Sequence, residues 1–212
     1  MILKNSQTEN KFLLSNLLYF QYLILFIFKI KTFLFLTIVF FILANFSFAF
    51  KALGSELDEL FINLKNSPNA IIAQKYENKI WQFWLTGSSN KTNNLKMKKA
   101  IKFMENGNLE NALALLINLS KLEPNWAEPL NKIATIKFIQ GDFYGSIRDI
   151  QLTLKLEPRH FGAISGLAQI NFALKRYQDA LKNINYVLKI HPFSGVKNLR
   201  LVILNLLKKS QI

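Results

Sequence analysis

Lys155-Leu156-Glu157-Pro158 is the phrase that decides the fold of this 212-residue chain. It returns upstream as Lys121-Leu122-Glu123-Pro124 and downstream as Lys189-Ile190-His191-Pro192, which puts Pro124, Pro158 and Pro192 thirty-four residues apart. A fixed period of this size marks stacked supersecondary units, each unable to bury its apolar face alone. Other columns keep the same period. Ala100, Ala134 and Ala168 superpose, as do Ala112, Ser146 and Ala180, and then Leu116, Ile150 and Ile184.

Each unit reads as two helices and a turn. Gly107-Asn108-Leu109, Gly141-Asp142-Phe143 and Lys175-Arg176-Tyr177 place a large apolar residue after a turn-forming pair. Glycine takes the left-handed conformation that ends a helix without a Cβ clash. The prolines end the second helix of each unit, because proline cannot continue a helix interior and disfavours helical geometry before it. Small residues in the alanine columns let two helix backbones approach while larger neighbours fill the grooves.

On these residues the stretch from about Asn93 to Pro192 resembles three tetratricopeptide repeats. Leu156-Glu157-Pro158-Arg159-His160-Phe161-Gly162-Ala163 further resembles small exported repeat proteins of alphaproteobacteria. The third unit keeps the pattern best, with Ile164, Leu167, Ala168, Tyr177, Ala180, Val187 and Pro192. The second departs at Lys137, where an aromatic is usual, and at Thr153, where a small residue is usual. The first carries Lys96 and Lys99 at apolar positions, which predicts a loosely packed or register-shifted first helix.

The resemblance implies an all-α helical-hairpin solenoid with capping helices, and a protein or peptide partner held on a concave face lined by the first helices. Carried over by position, the inward columns are Met97, Asn131 and Ser165; Ile101, Thr135 and Gln169; and Met104, Phe138 and Phe172. Relatives that clamp a terminal carboxylate use lysine, arginine and asparagine in these columns. This chain offers Asn131, with Asn94 at the margin, so a carboxylate clamp is disfavoured. The expected groove is apolar with amide and hydroxyl groups, suited to a helix or extended segment with a few apolar anchors. The competing expectation is that Met104, Phe138 and Phe172 pack internally.

Flanking segments predict further helices. Glu56 to Leu64 has apolar residues at helical spacing behind Ser55 as N-cap, and Ser67-Pro68-Asn69 breaks it. Ala70 to Leu85 follows, with Ile72, Tyr76, Ile80 and Phe83 along one side and Trp81 and Trp84 close by. Its expected role is a cap over the apolar edge of the first repeat, since the end units of an array need cover. Thr86 to Asn94 reads as a loop, and Val196 to Lys208 as a closing C-terminal helix.

Phe33 to Leu43 is apolar apart from Thr37, stands behind Lys29 and Lys31, and leads to Ser47-Phe48-Ala49. A basic flank, an apolar core and a small-x-Ala end form a secretory signal, with cleavage between Ala49 and Phe50 expected. The rival is an uncleaved helix from Thr32 to Phe50, just long enough to span a membrane. Phe12 to Phe28 is also largely apolar, and the simpler reading starts translation after it. The expected organisation is thus 1–49 as export signal or membrane anchor (1–28 outside the translated protein) and 50–92 as helical cap and loop. Repeats follow at 93–126, 127–160 and 161–194 within the span 93–192, with 193–212 as the closing helix. Either N-terminal reading places the repeats outside the cytoplasm, in the bacterial periplasm or envelope, with membrane contact through the N-terminal helix.

Composition narrows the chemistry. With no cysteine, disulfides, thiol catalysis, cysteine-ligated zinc and a lipoprotein anchor are excluded. A formal charge of +14 raises nucleic acid as a partner, but lysine here accompanies asparagine, isoleucine and phenylalanine, as A/T-rich codons dictate. No nucleic-acid module or basic stripe with stacking aromatics accompanies it, so no nucleic acid is expected. His160 and His191 fall in inter-repeat turns and make a poor metal pair without a third ligand. No phosphate loop, nucleophile elbow or His-Glu-x-x-His helix occurs. The expectation is a non-enzymatic adaptor with no catalytic residues, metal or cofactor.

Overall fold

The computed structural model describes residue 29, residues 31–41 and residues 56–209. The chain divides into two units, Met1–Ser55 and Glu56–Ile212. In the first, residues 31–41 are helical and expose Phe33, Phe35, Phe40 and Phe41. No helix of the described residues is long and apolar enough to cross a membrane. The expected cleavage site at Ala49 and Phe50 and the N-cap Ser55 lie outside the described residues.

The second unit is helical throughout its regular structure. Helix α1 covers residues 56–65. It is followed by α2 (Ala70–Leu85), α3 (Lys91–Glu105), α4 (Leu109–Leu122), α5 (Ala127–Ile139), α6 (Phe143–Leu156), α7 (Phe161–Ala173), α8 (Tyr177–Ile190) and α9 (Val196–Lys209). The pairs α3–α4, α5–α6 and α7–α8 are antiparallel hairpins stacked in order, and α9 closes the last one. This is the tetratricopeptide-type solenoid. All three core clusters are made from residues of this unit, which therefore carries its own hydrophobic core.

Local chemistry sets the helix ends. Asn69, Asn90, Asn108 and Asp142 each accept a backbone N–H through the side chain at a helix N-terminus. Gly107 and Gly141 sit at φ 73° and 79° in the hairpin turns, and Lys175 takes the same place in the third at φ 58°. An L-residue there is uncommon, and the third hairpin accepts that cost. The alanine columns lie where the hairpins close: Ala100, Ala112, Ala168 and Ala180 are fully buried and Ala134 nearly so.

Three expectations change. Helix α3 starts at Lys91, inside the expected loop, because Asn90 caps it through Thr92 N–H at 2.9 Å. Nor is α3 loose: Met97 and Ala100 are fully buried against Leu116 and Leu119, while Lys99 is exposed with its ammonium over the Phe103 ring. The third concerns α2. Helix α2 meets the first repeat's core at its C-terminal end, through Leu85, but reaches beyond it and buries Ile80 and Trp84 with Phe161 and Ile164 of the third.

The departures in the second repeat both find partners at Asp149. Lys137 Nζ lies 2.6 Å from Asp149 Oδ2, and buried Thr153 donates its hydroxyl to the Asp149 carbonyl at 2.9 Å. The Lys137–Asp149 pair thus ties α5 to α6 from a position where an aromatic is usual, and the Thr153 bond lies within α6.

Candidate functional site

Two places in the solenoid gather chemistry: the edge of inter-repeat turns along which α2 lies, and the face where α5 and α7 run side by side.

At the edge, each turn offers α2 a different group. Trp126, N-terminal to α5, donates its indole N–H to the Trp84 carbonyl at 2.6 Å. One period later His160 stacks on the Trp84 ring, centroids 3.9 Å apart and planes within 10°. At the third turn His191 Nε2 lies 3.1 Å from Glu77 Oε2, and Glu77 Oε1 accepts from Trp81 at 3.3 Å. Helix α1 joins through Asp58, which pairs with Arg159, while the Arg159 guanidinium lies 4.2 Å from the Phe61 ring centre. Gly162 lets α2 come this close, since a Cβ there would stand 2.4 Å from the Trp81 ring.

The edge has an ionic centre. His160 and Glu128 are both fully buried. Ala163 N–H donates to His160 Nδ1 at 3.1 Å, so in the neutral ring Nε2 carries the proton and donates to Glu128 Oε2 at 2.8 Å. Lys132 Nζ completes the set 3.0 Å from Glu128 Oε1. Burial pushes the Glu128 carboxyl up, but the His160 hydrogen bond and the Lys132 charge outweigh it and hold the group below the usual carboxylate range. Glu77 is also held low, first by the bond from His191. Among the described residues no cluster of histidine and acidic groups is arranged to hold a metal ion.

Between α5 and α7 is a hollow of about 150 Å³. Its walls include Asn131, Thr135 and Phe138 from α5 and Gly162, Gly166 and Gln169 from α7, and no ionisable group lines it. Gly166 leaves it open, since an added Cβ there would meet only Ile150 Cδ1 at 3.6 Å. Phe138 leans on Phe143, ring centres 5.7 Å apart, and shows one side to the space. Asn131 is 5 % exposed and donates its amide to Glu128 at 3.2 Å. The Asn94 amide donates to the Ser88 carbonyl at 2.8 Å. Both asparagines of a carboxylate clamp are thus engaged within the chain.

Of the nine inward positions, the hollow brings together Asn131, Thr135, Phe138 and Gln169. Met97 is fully buried in the first hairpin and cannot line a groove. Ile101 and Met104 are half-buried against the same core, and Phe172 packs on Tyr177 in the third, centroids 5.9 Å apart. Ser165 donates its hydroxyl to the Phe161 carbonyl at 2.6 Å. For Met104 and Phe172 internal packing prevails. Sequence reasoning missed the two glycines, although their i, i+4 spacing on α7 was visible.

No family model matches the chain. A TPR repeat-containing protein of Rhizobium etli is 38% identical over 107 residues, which cover 50% of this chain and 52% of that protein. The chain therefore spans about half the length of this relative. Among solved structures, MamA 41-end from Desulfovibrio magneticus RS-1 aligns at 25% identity and TM-score 0.45, covering 48% of this chain and 57% of that one. A crystal structure of MamA aligns at 17% identity and TM-score 0.44, with 57% and 70% covered.

Proposed function

We propose that this tetratricopeptide-repeat chain is a non-enzymatic scaffold that holds a protein or peptide segment against the α5–α7 face. The observation that carries the reading is the uncharged hollow between α5 and α7, where Thr135, Phe138 and Gln169 surround space that glycine leaves open. An apolar side chain of the partner fills it, and the Gln169 amide, exposed at its rim, meets the partner's backbone. Charge plays little part there, so binding through this site resists salt. The test is a Thr135→Trp variant, which fills the hollow from an exposed position. Native-lysate pull-downs should lose their specific partner, with circular dichroism and melting unchanged. A partner list identical to wild type overturns the site.

We also propose that the scaffold works in the bacterial envelope. The run Phe33 to Leu43 and the Ser47-Phe48-Ala49 end support export. The second reading is a membrane-anchored assembly factor that keeps its N-terminal helix, and the exposed phenylalanines of residues 31–41 favour it. N-terminal sequencing of the native protein separates the two: an end at Phe50 supports the released scaffold. An intact end with the protein in the membrane pellet supports the anchor, and an intact cytoplasmic protein overturns both.

A further inference from the structure

We infer that the face shared by α1 and α8 docks on an anionic lipid surface. A groove of about 450 Å³ runs between the two helices, with Phe61 and Ile190 in its floor and Lys65 and Lys189 among its lining. A second hollow of about 400 Å³ shares Lys189 and continues along α8 past Tyr186 to Lys182. Ile62 is 59 % exposed and Tyr186 46 %. The strip thus joins an aliphatic side chain, a tyrosine and three exposed lysines on one open face.

Its charge is uncompensated. None of Lys65, Lys182 and Lys189 forms a salt bridge among the described residues. The acid in the groove, Asp58, is already paired with Arg159. On the neighbouring helix, Arg200 donates to Asn185 on α8 at 3.1 Å and adds a further cation beside the strip. From Lys155 to the C-terminus ten lysines and arginines face two acids, Glu157 and Asp179, so the surrounding field is positive as well.

Lysines beside an exposed aliphatic and a tyrosine match a bilayer interface, where ammonium groups meet lipid phosphates and amphipathic rings sit at headgroup level. An acidic protein surface would satisfy the lysines equally. The lipid is favoured by the order of the chain: α1, which carries Ile62 and Lys65, opens thirteen residues after the apolar run ends at Leu43. The strip uses none of the residues lining the α5–α7 hollow, so the two readings stand or fall separately.

The test uses residues 56–212, the unit with its own core, in sedimentation with phosphatidylglycerol-rich and pure phosphatidylcholine vesicles. Binding is expected to the first only and to weaken in high salt. Each of Lys65→Ala, Lys182→Ala and Lys189→Ala should weaken it about fivefold. The triple variant Lys98→Ala, Lys99→Ala, Lys102→Ala on α3 removes equal charge and should leave it unchanged. The inference is overturned by no vesicle binding, by equal binding to the neutral vesicles, or by a loss in the α3 triple variant as large as that in the strip variant Lys65→Ala, Lys182→Ala, Lys189→Ala. Binding of polyglutamate through the strip lysines without vesicle binding overturns it in favour of an acidic protein partner.

Discussion

The turn edge and the α5–α7 face are built on the same thirty-four-residue period, yet one is filled and the other is open. At the edge the groups that α2 brings meet partners from the turns: Trp84 carbonyl with Trp126, Glu77 with His191, and the Trp84 ring with His160, while the buried Trp84 indole N–H has no hydrogen-bond partner. Across the array, Thr135 and Gln169 stand beside about 150 Å³ of unfilled space. Gly162 and Gly166, one turn apart on α7, divide these fates. The first accommodates the Trp81 ring, and the second faces the hollow. A filled edge is what stability requires, and an open face is what a ligand requires.

The comparison breaks most readily at His160. His160→Ala removes the stacked ring and leaves buried Glu128 without one of its three partners, and should destabilise the repeat unit by about 3–5 kcal/mol in urea unfolding. In the double variant with Glu128→Gln the loss should be less than the sum of the two single losses, because the uncompensated charge is gone. Additive losses would mean that the pair is not coupled.

Gly162→Ala should cost about 1–3 kcal/mol, since Trp81 must move from its seat between α2 and α7. Loss of Trp81 fluorescence anisotropy, in a variant where Trp84 and Trp126 are replaced by Phe, would report the displacement. An unaltered melting temperature would show that α2 is not held there.

Acid acts more gradually. Because Glu128 is held below its ordinary range when folded, its stabilisation is complete above the ordinary glutamate value of 4.5 and is lost as pH falls through the lowered one. Unfolding free energy should decline on acidification in that range, and the part of the decline due to this group should vanish in Glu128→Gln. A parallel pH profile for the variant would remove Glu128 as its source.

The smallest effect has the opposite sign. Gly166→Ala adds a methyl at ordinary contact distance from Ile150 and should stabilise the unit by about 0.5–1 kcal/mol through helix propensity. It should also weaken partner capture by narrowing the hollow. Stabilisation without loss of capture would separate the hollow from binding.

Much of this was legible in the sequence. The prolines, the alanine columns and the Gly107 and Gly141 turns sufficed for the hairpins, because period and left-handed turns are local properties. The boundaries of α2 were also readable, from Ser67-Pro68-Asn69 before it and Thr86-Gly87 after it. Its docking was not. The partners of Trp84 lie 42 residues away at Trp126 and still further at His160, and no local pattern pairs them. His160 and His191 read in the sequence as a poor metal pair, but the carboxylate that each meets on another helix is too far along the chain to be read there. The inward columns were legible as positions but not as surface: Met97 follows the column of Asn131 and Ser165, yet burial in the first hairpin removes it from any groove.

A photo-crosslinking residue placed at Gln169 in cells, compared with one at exposed Leu152 on α6, tests the central claim most directly. The α5–α7 face as a binding site predicts discrete covalent adducts with a protein partner from position 169 and none of those adducts from position 152. Adducts from position 152 alone, or the same set from both, would contradict it.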